Sequence, residues 1–124
     1  MTDWHNLQSR LPLLDRSRLA HLRQDLGVEV VKGLLTLFIE DIRQQRQEVA
    51  QAFADRDYVR LSHSCHSLKS VCGSYGVLRC QFLSEKLEAA GRREDSERVS
   101  AMTPVLLQGL EALLEEMANE VGGG

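Results

Sequence analysis

His63 and His66 stand three residues apart in the stretch HSCHSLKSVCGSYG, with Lys69 next and Cys65, Cys72, Gly73 and Gly76 interleaved. These residue types could do four kinds of chemistry. Two histidines and a cysteine could share a metal ion. A histidine could act as a nucleophile. Gly73-Ser74-Tyr75-Gly76 could clamp a nucleic-acid backbone, as a GxxG loop does in KH domains. Or a histidine could simply sit on the outer face of a helix. The elements that carry the stretch decide among them.

A chain of 124 residues is the size of one domain. Hydrophobic residues make up 43%, enough to build a core and to exclude wholesale disorder. The formal net charge is −3, the wrong sign for binding nucleic acid by phosphate neutralisation. The longest apolar run, residues 33–39, is too short to span a bilayer, so no membrane association is expected. The N-terminus MTDWHNLQSR shows no export signal. Cys65, Cys72 and Cys80 form no paired framework, and reduced thiols in a cytoplasm are the simplest reading.

No segment alternates like a strand, and helical periodicity runs almost throughout. Asp15 caps a short first helix, RSRLAHLRQDL, with Leu19, Leu22 and Leu26 on one face and Gly27 at its end. A long second helix follows over about residues 28–54, with Val31, Leu34 or Leu35, Phe38, Ile42, Val49 and Phe53 inward; its RQQRQE interval is polar all round except at Gln45. Asp55 or Asp57 starts the third, where Leu61, Cys65, Leu68 and Cys72 recur at core spacing. The fourth runs from about residue 76 to 91, with Val77, Cys80, Leu83, Leu87 and Ala90 buried. A fifth begins near Asp95 and turns Val99, Met102, Leu106, Leu110, Leu113 and Met117 inward. Pro104 makes it either one kinked helix, the favoured reading, or a new helix capped by Thr103. The expected fold is all-α: an antiparallel four-helix bundle over residues 15–120 with an additional short N-terminal helix. Residues 1–14 are an extension that packs loosely through Trp4 and Leu7, and 121–124 are a frayed tail.

On the third helix His66 lies about 100° from Cys65, at the flank of the buried stripe. Ser62 precedes it by a turn, Lys69 and Ser70 follow by a turn, and Gly73 by two. Small neighbours leave the ring open to something large, and the ammonium would balance negative charge arriving there. The cysteines fall on the core stripe and no CxxC or HExxH occurs, so no metal site is expected. Neither a GxSxG nor a nucleotide-binding glycine loop is present.

HSLKSVCGSYGVLRCQFLSEKLE resembles the histidine-containing phosphotransfer (HPt) domain through His66, Leu68, Lys69, Gly76 and the pair Leu87-Glu88. LDRSRLAHLRQDLGVEVVKGLLTLFIED is similar to that family's first two helices, and the resemblance covers roughly residues 13–118. Ser70 replaces a usual glycine, Ser62 and Cys65 fall where alanine is common, and Cys80 replaces a leucine. Serine is small, so the docking face stays open.

The resemblance implies a phosphocarrier, not an enzyme with its own nucleotide site. His66 would take a phosphoryl group from a receiver-domain aspartate and pass it to another. Glu88 would hold the imidazole. Lys69 would balance the phosphate, and Arg92 would either do the same or pair with Glu88. The chain would need no cofactor of its own, with Mg2+ held by the receiver. Its partners would be receiver domains of a hybrid sensor kinase and a response regulator, and its default state a monomer. Met1 and the complete bundle favour a stand-alone chain. His63 would be a surface residue near the docking face. Leu78 and Phe82 would add a partner surface, unless Trp4 or Leu11 covers them. A phosphorylation-independent adaptor using the same face is the alternative, and a metal- or redox-responsive bundle a weaker third; acid-labile phosphate on His66 separates the first reading from both.

Overall fold

The structure, a computed structural model, describes residues 11–122. Five helices and no strand occur among them: α1 Arg16–Leu26, α2 Val28–Ala54, α3 Tyr58–Ser74, α4 Leu78–Arg92 and α5 Ser96–Gly122. α3 packs on α2 and α4, and α5 closes the ring by packing on both α2 and α4. Connections of one to three residues between successive helices make the neighbours antiparallel. α1 lies against α2 outside this ring.

Three of the five helices start at an aspartate cap: Asp15 for α1, Asp57 for α3 and Asp95 for α5, whose carboxylate accepts from Arg98 N–H. The Asp15 carboxylate accepts from the backbone N–H groups of Ser17 and Arg18, and Asp57 accepts from that of Arg60. Asp57, not Asp55, is therefore the cap of α3. α4 begins at Leu78, two residues later than expected, because Gly76 is used for another purpose. Its φ is +71°, and its carbonyl accepts from Asp15 N–H at 2.9 Å. A Cβ there would sit 3.1 Å from the side chains of both Asp15 and Arg18. Gly76 is thus where α1 docks on the α3–α4 corner.

The core follows the periodicity closely. Leu61, Cys65, Leu68 and Cys72 of α3, the expected stripe of α4 and the six expected residues of α5 are all buried. Four positions depart from expectation. Leu26 is 46% exposed, while Arg23 in the same last turn of α1 reaches α5 and pairs with Glu120 at 3.0 Å. Ile39 and Ala52 join the core of α2, while Phe53 is half-buried under the Arg56 guanidinium. In the polar interval of α2, Arg46 donates to the Leu107 carbonyl of α5 at 3.3 Å and so covers that helix with its stem.

α5 is one helix with Pro104 inside it. Pro104 and Ser100 both face solvent, so the Ser100 carbonyl that loses its partner can be hydrated. Thr103 is not a cap; its buried hydroxyl donates to Val99 O at 2.7 Å. The helix also continues through Val121, which packs against the core where fraying was expected. At the other end of the chain, Leu14 is buried, and Arg79 donates to the carbonyls of Leu11 and Pro12. Residues 11–14 therefore belong to the bundle's packing. Trp4 and Leu7 lie outside the described residues.

Candidate functional site

α3 and α4 meet along a long seam, and the site lies on its outer edge. His66 is carried outward by the register that turns Cys65 in, and its side chain is 57% exposed. Glu88 comes from the facing flank of α4, with a side chain only 7% exposed. His66 Nδ1 lies 3.0 Å from Glu88 Oε2. A carboxylate can only accept, so the proton sits on Nδ1, and Nε2 carries the free lone pair on the far side of the ring.

The same carboxylate holds two cations. Lys69 Nζ is 3.2 Å from Oε1, and the Arg92 guanidinium is 2.7 Å from Oε2. Burial alone would raise the Glu88 carboxyl. The hydrogen bonds from Lys69 and His66 and the charges of Lys69 and Arg92 outweigh it and hold the group below the usual glutamate range. His66, Lys69, Glu88 and Arg92 are thus brought together. Both expected phosphate partners are engaged by Glu88, which settles the open choice for Arg92 in this state. The Lys69–Glu88 pair was not anticipated, although both sit on the flanks that face each other across the seam.

The small residues divide. Ser70 is exposed and its hydroxyl donates to His66 O, one turn back. Gly73 is half-buried beneath Gln81, whose amide nitrogen would be 3.1 Å from a Cβ placed there. Gln81 was overlooked, yet it lies seven residues before Glu88 on the same flank, a spacing that 3.6-residue periodicity makes visible. Ser62 is a correction. It is buried, not on the docking surface, because α4 approaches closely at Gly91. A Cβ on Gly91 would lie 2.6 Å from Ser62 Oγ. That oxygen has no hydrogen-bond partner among the described residues.

This contact yields a double-mutant prediction. Gly91→Ala should destabilise the protein by about 1–3 kcal/mol through overpacking. Ser62→Ala should stabilise it by about 1 kcal/mol by deleting an unpaired buried hydroxyl. The double variant should recover most of the Gly91→Ala loss. Urea unfolding of the four proteins measures this, and strict additivity would refute the contact.

His63 is exposed and borders a polar groove with Gln44, Glu48 and Ser67. Leu78 is 39% exposed, as a partner surface requires. Phe82 departs from that expectation: it is half-buried against the core, with Lys86 Nζ 5.4 Å from its ring centre. Leu11 is half-buried beside α4, and Trp4 lies outside the described residues.

The cysteines are all buried and unpaired with one another. Burial pushes the Cys65 and Cys80 thiols up to about 12, and raises Cys72 likewise. Among the described residues no cluster of three or more His, Cys, Asp or Glu could hold a metal ion, and no helix is long and apolar enough to cross a membrane.

A closed helical bundle that presents one carboxylate-held imidazole from its surface is the architecture of a phosphocarrier. The Hpt domain family model matches residues 33–120, and the chain belongs to that family of histidine-containing phosphotransfer domains. It is similar to the phosphorelay protein LuxU of Vibrio vulnificus strain YJ016 and to that of strain CMCP6. Each is 26% identical over 113 residues, covering 88% of this chain and 98% of the relative. The crystal structure of histidine-containing phosphotransfer protein B (HptB) from Pseudomonas aeruginosa PAO1 shares the fold, with a TM-score of 0.83 at 22% identity over 91% of this chain and 97% of that one.

Proposed function

We propose that His66 accepts a phosphoryl group from the aspartate of one receiver domain and passes it to the aspartate of another. The chain would thereby connect a hybrid sensor kinase to a response regulator in a multistep phosphorelay, as a cytoplasmic monomer. The observation that carries this reading is the 3.0 Å contact between Nδ1 of the exposed His66 and the buried Glu88 carboxylate. It fixes both the tautomer and the ring's orientation, which is what a nucleophile presented to a large partner needs. The relatives named phosphorelay protein support the same assignment.

In the forward step Nε2 attacks phosphorus, the new N–P bond forms, and the aspartate leaves as a carboxylate. Phosphoryl transfer passes through a loose transition state, so positioning and charge stabilisation dominate. As the N–P bond forms the ring becomes cationic, and Glu88 stabilises it through Nδ1–H. Lys69 and Arg92 lie within a side chain's reach of the ring and can turn from Glu88 to the arriving oxygens. Mg2+ and the acidic pocket come from the receiver, so the carrier needs no nucleotide or metal site of its own. The return step is the same sequence reversed.

The test is phosphotransfer in vitro. Incubation with phosphorylated receiver domains should place label on the protein that survives base and is lost in acid. Peptide mapping should find it on His66. A stable complex that never acquires label would overturn the carrier reading.

A further inference from the structure

On the flank of α3 opposite Glu88, the seam between α2 and α3 opens into a cleft of about 430 Å³. Leu34, Leu37 and Asp41 line it from α2, spaced three and four apart on one side of that helix, and Val71, Ser74 and Tyr75 line it from the end of α3. Leu37 is 63% exposed, a large aliphatic side chain held in water at the rim. Val71 and Tyr75 are half-buried beside it. Asp41 is the one charged group among the described residues that line the cleft, and it is half-buried. No cation among the described residues pairs with it. An aliphatic rim in water and an unpaired carboxylate within it are both features that a partner would relieve.

We propose that the receiver domain anchors in this cleft through an apolar side chain set against Leu37, Val71 and Tyr75, with a lysine or arginine beside it that pairs with Asp41. The inference rests on the receiver reading above. Its occupant follows from position. Glu88 of α4 holds Nδ1 of His66, so the attacking Nε2 is open on the side away from α4. His66, Ser70 and Ser74 follow one another at steps of four along that open face. The hydroxyls of both serines are folded back onto the helix, each donating to the carbonyl one turn before it. A low strip therefore leads from the acceptor to the cleft, about 12 Å further along the helix axis. A domain of about 100 residues has a radius of gyration of about 13 Å, so one that sets its aspartate on His66 reaches the cleft as well. The chemistry of the anchor follows from the lining. A surface that closes over Asp41 strips water from its carboxylate, which is costly unless a cation arrives with it. Leu37 thus supplies affinity, and Asp41 selects against receivers that lack the cation. Both are separate from the groups that carry out the transfer.

The experiment starts from full-length protein already labelled by phosphoramidate, a small phosphoryl donor, so that loading is not what is read. The probe is the receiver domain that takes label fastest from the wild type in a panel of such domains. Two variants, shown by melting to be folded, are compared by Kd for that receiver in its unphosphorylated form. Leu37→Glu sets a charge where the apolar anchor sits and should raise Kd about tenfold or more. Asp41→Asn keeps the shape and removes the charge; it should raise Kd about threefold in low salt, and the difference should vanish in high salt, which screens the pair. Leu37→Glu binding within about twofold of the wild type overturns the proposal, and so does an Asp41→Asn effect that is absent or that salt leaves unchanged. Should Leu37→Glu not fold, Asp41→Asn decides alone. Sedimentation of the wild type tests a second copy as the occupant: self-association that Leu37→Glu abolishes while receiver binding persists also overturns the proposal. Failure of the receiver reading looks different: phosphoramidate then labels wild type and His66→Gln alike, or no receiver takes the label.

Discussion

His66→Gln is expected to remove phosphoryl acceptance by more than about 10³-fold, the scale seen when an enzyme loses its nucleophile. Glutamine has a similar reach and can still donate to Glu88, so the seam keeps its hydrogen bond. With the native side chain 57% exposed, little packing is lost, and stability should stay within about 0.5 kcal/mol. The variant should therefore melt like the wild type and still bind the receiver while taking no acid-labile label. His21→Gln is the control, since His21 is an exposed residue of α1 and should label normally. Label persisting on His66→Gln would place the acceptor elsewhere.

Replacing Glu88 should give the second-largest effect, and a graded one. Glu88→Gln keeps an acceptor for Nδ1–H but loses both ion pairs. Glu88→Ala loses the acceptor as well and frees the ring to turn. Transfer should fall modestly in the first and about 10- to 100-fold in the second, the cost of misplacing a reacting group. Equal rates in the two variants would show that charge, not orientation, is what Glu88 supplies. Stability adds a pH test. The folded-state pKa of Glu88 is depressed, so its contribution is fully present above the ordinary carboxylate range. It is lost as pH falls through the lowered value. The stability gap between wild type and Glu88→Gln should thus be widest near neutrality and close in acid. Urea unfolding at several pH values reads it, and a gap that widens towards acid would refute the assigned direction.

Most of the fold was legible because helical periodicity is a direct record of burial. The stripes of α3, α4 and α5 came out residue for residue. The misses share a cause: they depend on what lies opposite. Leu26 has the right spacing but is left 46% exposed. The start of α4 shifts because Gly76 is taken up in docking α1, through a contact with the distant Asp15. Pro104 was read correctly as internal, and the exposure of the Ser100 carbonyl explains why it is tolerated. In the site, His66 and Glu88 were visible through the family pattern, and their contact follows from it. Ser62 was misplaced because a helical wheel gives direction but not the distance to the next helix; at Gly91 that distance is unusually short. The Lys69–Glu88 pair was hidden for the same reason, whereas Arg92–Glu88, four residues apart on one helix, was one of the two alternatives the sequence offered.

The three thiols lead to a practical end. All are buried, and those of Cys65 and Cys80 would ionise only near pH 12. Alkylating reagents attack the thiolate, so the native protein should be almost inert to them. Cys65 and Cys72 report from α3 and Cys80 from α4, on both sides of the seam that holds the acceptor. Their modification rates therefore form a built-in clock for opening of that seam, and phosphorylation or a bound receiver should slow it. The same inertness lets a single cysteine engineered at the surface carry a dye without first stripping the chain of its own.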